Sequence, residues 1–516
     1  MAGPGEKLAE SLVVLRKIQK EGSLTAIKTS EISRVHRERL TKNGFLKEVT
    51  KGWYISTDPG EKQGKSTSWY TSYWQFCARY LEEKYNDEYT ISAEQSILLH
   101  SGNDTVPSQM VIRTAKAHNK PLQLLYNTSL FIMTSPLPKI AEVEEKNGIR
   151  RLTLASALIH CTPSMYEKSA TDMRAALAQI PDSSEITRLL LDGSHSVIAG
   201  RLAGAFRNIG QERIANDIIK TMEAADFKVT ETDPFNDKPK IKLSFRERSP
   251  YVNRIKLMWS EMREVVLKHF PEEPGIPNDS DSYLSSIDEI YLTDAYHSLS
   301  IERYVVSLEL IEKVRSGDWD PENQEDRDHK NAMAARGYYL ATQSVKESIK
   351  KILIGENPGK VLDYDHSEWY RELFAPSVTL GIISPGDLAG YRNQPIYISN
   401  SLHVPMNKDA VRDVMPTLFE MIEGEEHSGV RAVLGHFIFV YIHPYVDGNG
   451  RMGRFLMNSM LASGGYPWTV IPVEERDKYM STLEEASVTG DIEPFAEYLS
   501  YLVRESLRGN PVAKIE

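Results

Sequence analysis

One twelve-residue run constrains the fold more than any other part of this chain: His443-Pro444-Tyr445-Val446-Asp447-Gly448-Asn449-Gly450-Arg451-Met452-Gly453-Arg454. The segment before it, VRAVLGHFIFVYI, reads as a core helix with Val433, Phe437, Val440 and Tyr441 on a buried stripe. The segment after it, RMGRFLMNSMLAS, continues a second helix that begins near Asn449. The run is therefore the turn of a helix pair. A histidine there can take a proton near neutral pH. A carboxylate can hold Mg²⁺ by oxygen. The glycines let backbone N–H groups close around a phosphate at the positive end of the second helix. Arg451 and Arg454, three apart, share a face of that helix and can grip further phosphate oxygens.

The run resembles the HPFx(D/E)GNGRxxR signature of the Fic (filamentation induced by cAMP) family, with Tyr445 in place of Phe. The resemblance implies a protein adenylyltransferase that moves AMP from Mg-ATP to a Ser, Thr or Tyr hydroxyl of a target protein or of the chain itself. It implies that His443 is the general base and that Asp447 holds Mg²⁺. Gly448, Asn449 and Gly450 would form the anion hole, Asn449 also orienting phosphates. Arg451 would contact the phosphate chain and Arg454 the γ-phosphate. Downstream, Tyr479 is a candidate wall of the base pocket. SPGDLAGYRNQPIYISNSLHVP (384–405) resembles the family's flap, a short hairpin whose Ile396, Tyr397 and Ile398 would hold the target by strand addition. His436, one helical face from the run, reads as packing.

Upstream, in an inhibitory helix expected over about 288–314, Ser298-Leu-Ser-Ile-Glu302-Arg303 resembles the family's inhibitory motif (S/T)xxxE(G/N), with Arg303 departing from Gly/Asn. The resemblance implies that Glu302 pairs with Arg454 and withholds it from ATP.

At 516 residues the chain exceeds one ordinary domain. Residues 1–57 read as helix, helix, helix and hairpin, the order of a winged helix-turn-helix. Its second helix is expected over Leu24 to Ile32, and its third starts at Ser33 and stops at Gly44. This stretch resembles the N-terminus of AbiEi-type antitoxin regulators. Residues 31–51 carry a net charge of +3 within a chain of −11, so Arg34, Arg37, Arg39 and Lys42 are candidate DNA-binding residues. Residues 58–235 read as an antitoxin-like α+β and helical regulatory region, with an aromatic helix near 69–85 that belongs in a core. His160, His195 and Arg201 read as structural. A polar, proline-bearing stretch near 230–250 is the best boundary, and 245–510 is the expected Fic domain. The fold class expected is mainly α, an all-helical C-terminal Fic fold with a small β-hairpin flap, preceded by an α+β winged-helix region.

Only Cys77 and Cys161 occur, which excludes a disulfide framework and fits a reducing cytoplasm. No apolar run approaches a membrane span, and the first residues lack the features of a signal peptide. The expected partners are ATP, a target-protein hydroxyl, DNA through the N-terminal unit and a second copy of the chain, with no membrane. A competing function is a DNA-binding antitoxin-like transcriptional regulator whose Fic part senses nucleotide or modifies itself. Within the same fold, another donor or removal of AMP also remains open, although the intact Asp447 and Arg454 favour the ordinary nucleotide orientation over the phosphate-transferring one.

Overall fold

The computed structural model describes residues 4–22, 25–57, 59, 67–116, 119–239, 249–319, 329–379, 383–393, 396, 398 and 401–515. It is mainly helical and divides into two units, residues 1–254 with 396–404, and residues 255–395 with 405–516.

The first unit opens with α1 (Pro4–Gly22), β1 (Ala26–Lys28), α2 (Arg34–Lys42), β2 (Leu46–Thr50) and β3 (Trp53–Ser56). Leu8, Leu12, Leu15 and Ile18 of α1 face a small core with Ile27, Ile32, Leu40 and Leu46, whereas Val13 is exposed. The strands form an antiparallel sheet in the order β1-β3-β2. Ser33 caps α2 by accepting from the His36 N–H. Gly44 and Gly52 take left-handed conformations at the helix stop and the hairpin turn. The helix expected over 24–32 is not there: residues 26–31 are β1 and one 3₁₀ turn. Antiparallel pairing of residues 26–28 with β3 satisfies a backbone too short to support a helix alone.

Next come α3 (Thr67–Tyr85), β4 (Tyr89–Ile91), α4 (Ala93–His100), β5 (Gln109–Thr114), β6 (Lys120–Gln123), β7 (Ser129–Thr134), β8 (Val143–Lys146) and β9 (Ile149–Leu152). The sheet order is β4-β5-β7-β6, with β5 and β7 parallel. Trp69, Tyr73, Phe76 and Tyr80 of α3 pack edge-on and stacked into the core against Trp53. Helices α5 (Leu154–His160), α6 (Met165–Lys168), α7 (Ala170–Leu177), α8 (Ser184–Asp192), α9 (Ser196–Asn208) and α10 (Glu212–Ala224) complete this part. Cys77 and Cys161 are free and buried.

The division between units falls within α11 (Pro250–His269). The second unit continues with α12 (Ser280–Ile301), α13 (Leu308–Ser316), α14 (His329–Leu353), α15 (Pro358–Thr379), α16 (Lys408–Gly424), α17 (Ser428–Ile442), α18 (Asn449–Ala462), α19 (Arg476–Thr489) and α20 (Glu493–Leu507). Helix α17 is buried on nearly every side rather than along one stripe, with Val440 alone of the four expected residues half-exposed. It packs antiparallel to α18, and α18 leans on α14 and α15. The turn between α17 and α18 is thus fixed by core helices on both sides.

The inhibitory segment expected as one helix over 288–314 is two. Helix α12 ends at Ile301, where the Arg303 N–H donates to the Ser300 carbonyl (2.9 Å) and the Tyr304 N–H to the Leu299 carbonyl (3.1 Å). These crossed bonds are the closing pattern of a helix whose next residue is left-handed. No strand occurs among the described residues of 384–405; Pro385–Ala389 is a 3₁₀ turn. Backbone bonds there include a local turn, Ser401 N–H to the Ile398 carbonyl, the Arg392 N–H donating to the Pro444 carbonyl, and the Leu402 carbonyl accepting from the Val106 N–H. Ile396 and Ile398 are half-buried, and Tyr397 lies outside the described residues.

Candidate active site

Helix α17 ends on His443, which sits at φ 54°, a left-handed conformation costly for a side chain with a Cβ. Its Nδ1 lies 3.1 Å from the Val440 carbonyl. A carbonyl only accepts, so Nδ1 carries the proton and Nε2 keeps its lone pair. Burial pushes the imidazole down to about 4, and the bond to Val440 offsets this only in part. His443 is therefore a neutral base across the physiological range. The charges of Glu302 and Asp447 both act on it.

The loop after His443 is shaped by two residues. Asn449 spends its side-chain amide on Tyr445, accepting from its N–H (2.9 Å) and donating to its carbonyl (2.9 Å). The side chain is thus a clamp on the loop. Arg392 donates through Nε to the His443 carbonyl (2.8 Å), and its own N–H donates to the Pro444 carbonyl (2.9 Å). Tyr445 is fully buried and stacks on Tyr370, with ring centroids 3.8 Å apart. Its hydroxyl has no partner among the described residues.

Gly448 starts α18 at φ 80°, and a Cβ there would come within 2.7 Å of the Phe374 ring. Its N–H donates to Asp447 Oδ1 (2.6 Å). The next N–H groups, of Asn449, Gly450 and Arg451, belong to the first helical turn and have no acceptor inside the helix. They form the anion-seeking end of α18. The Asp447 side chain is 65% exposed, an accessible hard oxygen at the rim.

The two arginines are both buried and differ in their surroundings. Arg454 donates from Nε to Ser298 Oγ (2.8 Å) and from Nη2 to the Ser298 carbonyl (3.0 Å) and Glu302 Oε1 (2.9 Å). Burial opposes the charge of Glu302, but Arg454 and Arg451 outweigh it and hold the carboxyl below its usual range. That carboxylate stands directly over the first turn of α18: a Cβ on Gly450 would lie 2.2 Å from Glu302 Oε1. Arg451 instead lies between two rings, 5.1 Å from the Tyr304 centroid and 4.9 Å from that of Phe374, with Nη2 3.5 Å from Asp447 Oδ2. Its Nε has no partner among the described residues.

Residues 365–461, the stretch holding this turn and both flanking helices, match the family model described as Fic/DOC family. This stretch is similar to a Fic/DOC domain. The chain is also similar to the protein adenylyltransferases Fic of Drosophila virilis, 28% identical over 223 residues, and of Drosophila melanogaster, 28% identical over 224 residues. Each match covers 42% of this chain and 42% of the relative, so the chain spans about two fifths of the length of the curated relatives it matches. Among solved structures it is similar to Fic-1 from C. elegans, with 19% identity and a TM-score of 0.37 over 66% of this chain and 96% of that one. A Fic domain containing signaling protein from Bacteroides thetaiotaomicron gives 17% identity and a TM-score of 0.36 over 52% of this chain and 99% of that one.

Around the Fic turn, the fold brings His443, Asp447, Gly448, Gly450, Arg454, Ser298 and Glu302 together. Tyr479 departs from its expected place as a base-pocket wall. It is 1% exposed, its hydroxyl lies 2.8 Å from His436 Nε2, and its ring packs beside Phe495 and Tyr498. It has no face free to stack on a base and belongs to the packing beside Arg454. His436 is buried and stacks on Phe495, as packing. Sequence reasoning missed Arg392, Tyr304 and Phe374, which carry no local motif of their own; Arg392 lies within the stretch read as the flap.

The N-terminal basic residues are partly committed within their own unit. Arg34 pairs with Glu38 (2.6 Å) and Arg37 lies over the Tyr54 ring (5.7 Å). Arg39 donates to Ser11 Oγ (2.9 Å) and the Lys7 carbonyl on α1. Lys42 is exposed. Arg39 thus fastens α1 to α2 rather than presenting a charge outward.

Two predictions arise here. Arg303 occupies the left-handed position after α12 at φ 68°, where Asn sits more easily. Arg303→Asn is expected to stabilise the helix end by about 1 kcal/mol, visible as a rise of roughly 2–4 °C in Tm; an unchanged or lower Tm would count against strain at this residue. The second concerns acid. Burial lowers His443 and His436 to about 4 each, while in the unfolded chain both protonate near 6.5. Between those values the unfolded state binds more protons, so stability falls as pH drops through that window. Replacing His436 by Phe should flatten the slope of Tm against pH between about 6.5 and 4, and an unchanged slope would refute the assignment.

Proposed function

We propose that this chain is a protein adenylyltransferase that transfers AMP from Mg-ATP to a hydroxyl of a target protein, restrained by Glu302. The observation that carries this reading is a neutral histidine with its Nε2 lone pair available, fixed at the turn that leads into the unpaired N–H groups of α18. A base beside an anion site suits deprotonation of a hydroxyl against a phosphate ester.

In this reading the triphosphate lies along the first turn of α18, and Arg454, freed from Glu302, holds the terminal phosphate. His443 Nε2 takes the proton of the target hydroxyl as its oxygen attacks the α-phosphorus. A new P–O bond forms, the bond from the α-phosphorus to the bridging oxygen breaks, and pyrophosphate leaves. Backbone N–H groups and arginines stabilise charge on the departing oxygens. Asp447 is the carboxylate that would hold Mg²⁺ arriving with ATP, and the ion would neutralise phosphate charge. Asn449 and Arg392 hold the loop so that His443 meets the nucleotide in line. The midpoint of the acid limb of kcat/KM is expected near pH 4 to 5, following His443 rather than a solvated imidazole.

The test supplies Glu302→Gly protein with Mg²⁺ and ATP labelled at the α- or the γ-phosphate, with target lysate. Label from the α-position alone supports AMP transfer. Label from the γ-position alone, or from neither, refutes it.

A further inference from the structure

The brake on this site has a second hold. Tyr304 follows Glu302 by two residues and is placed by the crossed bonds that end α12, its N–H donating to the Leu299 carbonyl (3.1 Å). Those bonds fix the backbone on both sides of Glu302, so the carboxylate and the ring move as one piece. The ring covers Arg451 from one side at 5.1 Å, and Phe374 of α15 covers it from the other at 4.9 Å. Between them the guanidinium is only 1% exposed. Its Nε is without a partner among the described residues, its approach to Asp447 is a long 3.5 Å, and the Tyr304 side chain that covers it also makes a polar contact with it. A buried guanidinium with an unmet donor is under-satisfied, and a phosphate oxygen would supply what is missing. Phe374 belongs to the scaffold and is itself pinned against Gly448. Tyr304 belongs to the inhibitory segment, so it is the cover that can leave.

We propose that Tyr304 is a clamp on Arg451: stacked, it shields that guanidinium from nucleotide phosphate, and ATP must unstack it as well as displace Glu302. The inference rests on the nucleotide-binding reading above. One helix end would then withhold both signature arginines, Glu302 through charge and Tyr304 through its ring face. Release of α12 would free both together.

The test measures Mg-ATP binding by calorimetry in the His443→Ala chain, where nothing turns over, with Tyr304 replaced by Ala, Leu or Phe and Glu302 either intact or replaced by Gly. Leu keeps apolar packing without a ring face, which separates loss of the stack from loss of folding. With Ala and Leu, binding is expected to tighten between about two-fold and thirty-fold, the range a stacked cation spans. Phe, which keeps the ring and loses only the hydroxyl's contact with Arg451, should tighten binding less than Ala or Leu. Tyr304→Ala should add a further gain on top of Glu302→Gly. Unchanged or weaker binding with both Ala and Leu overturns the clamp while leaving the nucleotide site standing. Absence of Mg-ATP binding in every variant, Glu302→Gly included, removes the nucleotide reading and the clamp with it.

Discussion

Glu302→Gly is expected to raise AMP transfer by about tenfold or more, because each 1.4 kcal/mol by which the ion pair favours the held state is a factor of ten. Arg454 bonds to Ser298 and Glu302 at the C-terminal end of α12, with Tyr479 beside it as a further side-chain partner. Removing the carboxylate leaves a guanidinium 4% exposed with only the neutral Ser298 and Tyr479 beside it. The same change should therefore destabilise the nucleotide-free protein. Breaking one side of a buried pair costs roughly 3–5 kcal/mol when both charges are dry. Glu302 is 27% exposed, which puts the loss toward or below the lower end of that range. Mg-ATP should restore it, by about 2.7 kcal/mol at a hundredfold excess over Kd. Activity up, Tm down and Tm recovered by nucleotide form a pattern that a merely structural Glu302–Arg454 pair would not give. A structural pair would lower Tm and activity together.

His443→Ala, made in the Glu302→Gly chain, is expected to lower kcat by roughly 10²- to 10⁴-fold, the range typical of a positioned base. ATP binding should hardly change. Among the described residues the ring of His443 bonds to the Val440 carbonyl and not to the anion-seeking turn. A fall in kcat with an unmoved Kd for Mg-ATP separates proton transfer from binding. If instead Kd weakens in step with the loss of rate, His443 is a binding group and the base must be sought elsewhere.

The core of the site was legible because its chemistry is local in sequence. Twelve residues set the turn between α17 and α18, and the Ser298–Glu302 spacing sets one helical turn of partner groups. What was not legible comes from distant elements. The Phe374 ring on α15 and the Arg392 backbone staple reach the loop across many residues, with no periodicity to announce them. Asn449 was read by type as part of an anion hole, and only the fold adds that Tyr445 takes its side-chain amide. Tyr479 was read from its position downstream, and burial gives it another task. The departure at Arg303 has a physical account, since the helix closes there in a left-handed conformation that suits Gly or Asn. Over 24–32, three residues of strand pairing outweighed a helical pattern too short to stand alone. The flap hairpin was expected from resemblance, yet the described residues of 384–405 form no strand and bond to a local turn, to Pro444 and to Val106.

The most direct measurement follows covalent label from α-labelled ATP with the natural chain, Glu302→Gly and Glu302→Gly/His443→Ala side by side, in one lysate with Mg²⁺. The expected order is strong label with Glu302→Gly, weak label with the natural chain, and almost none when His443 is also replaced. Equal label from the natural chain and Glu302→Gly, or label that survives loss of His443, would contradict a braked, histidine-dependent adenylyltransferase.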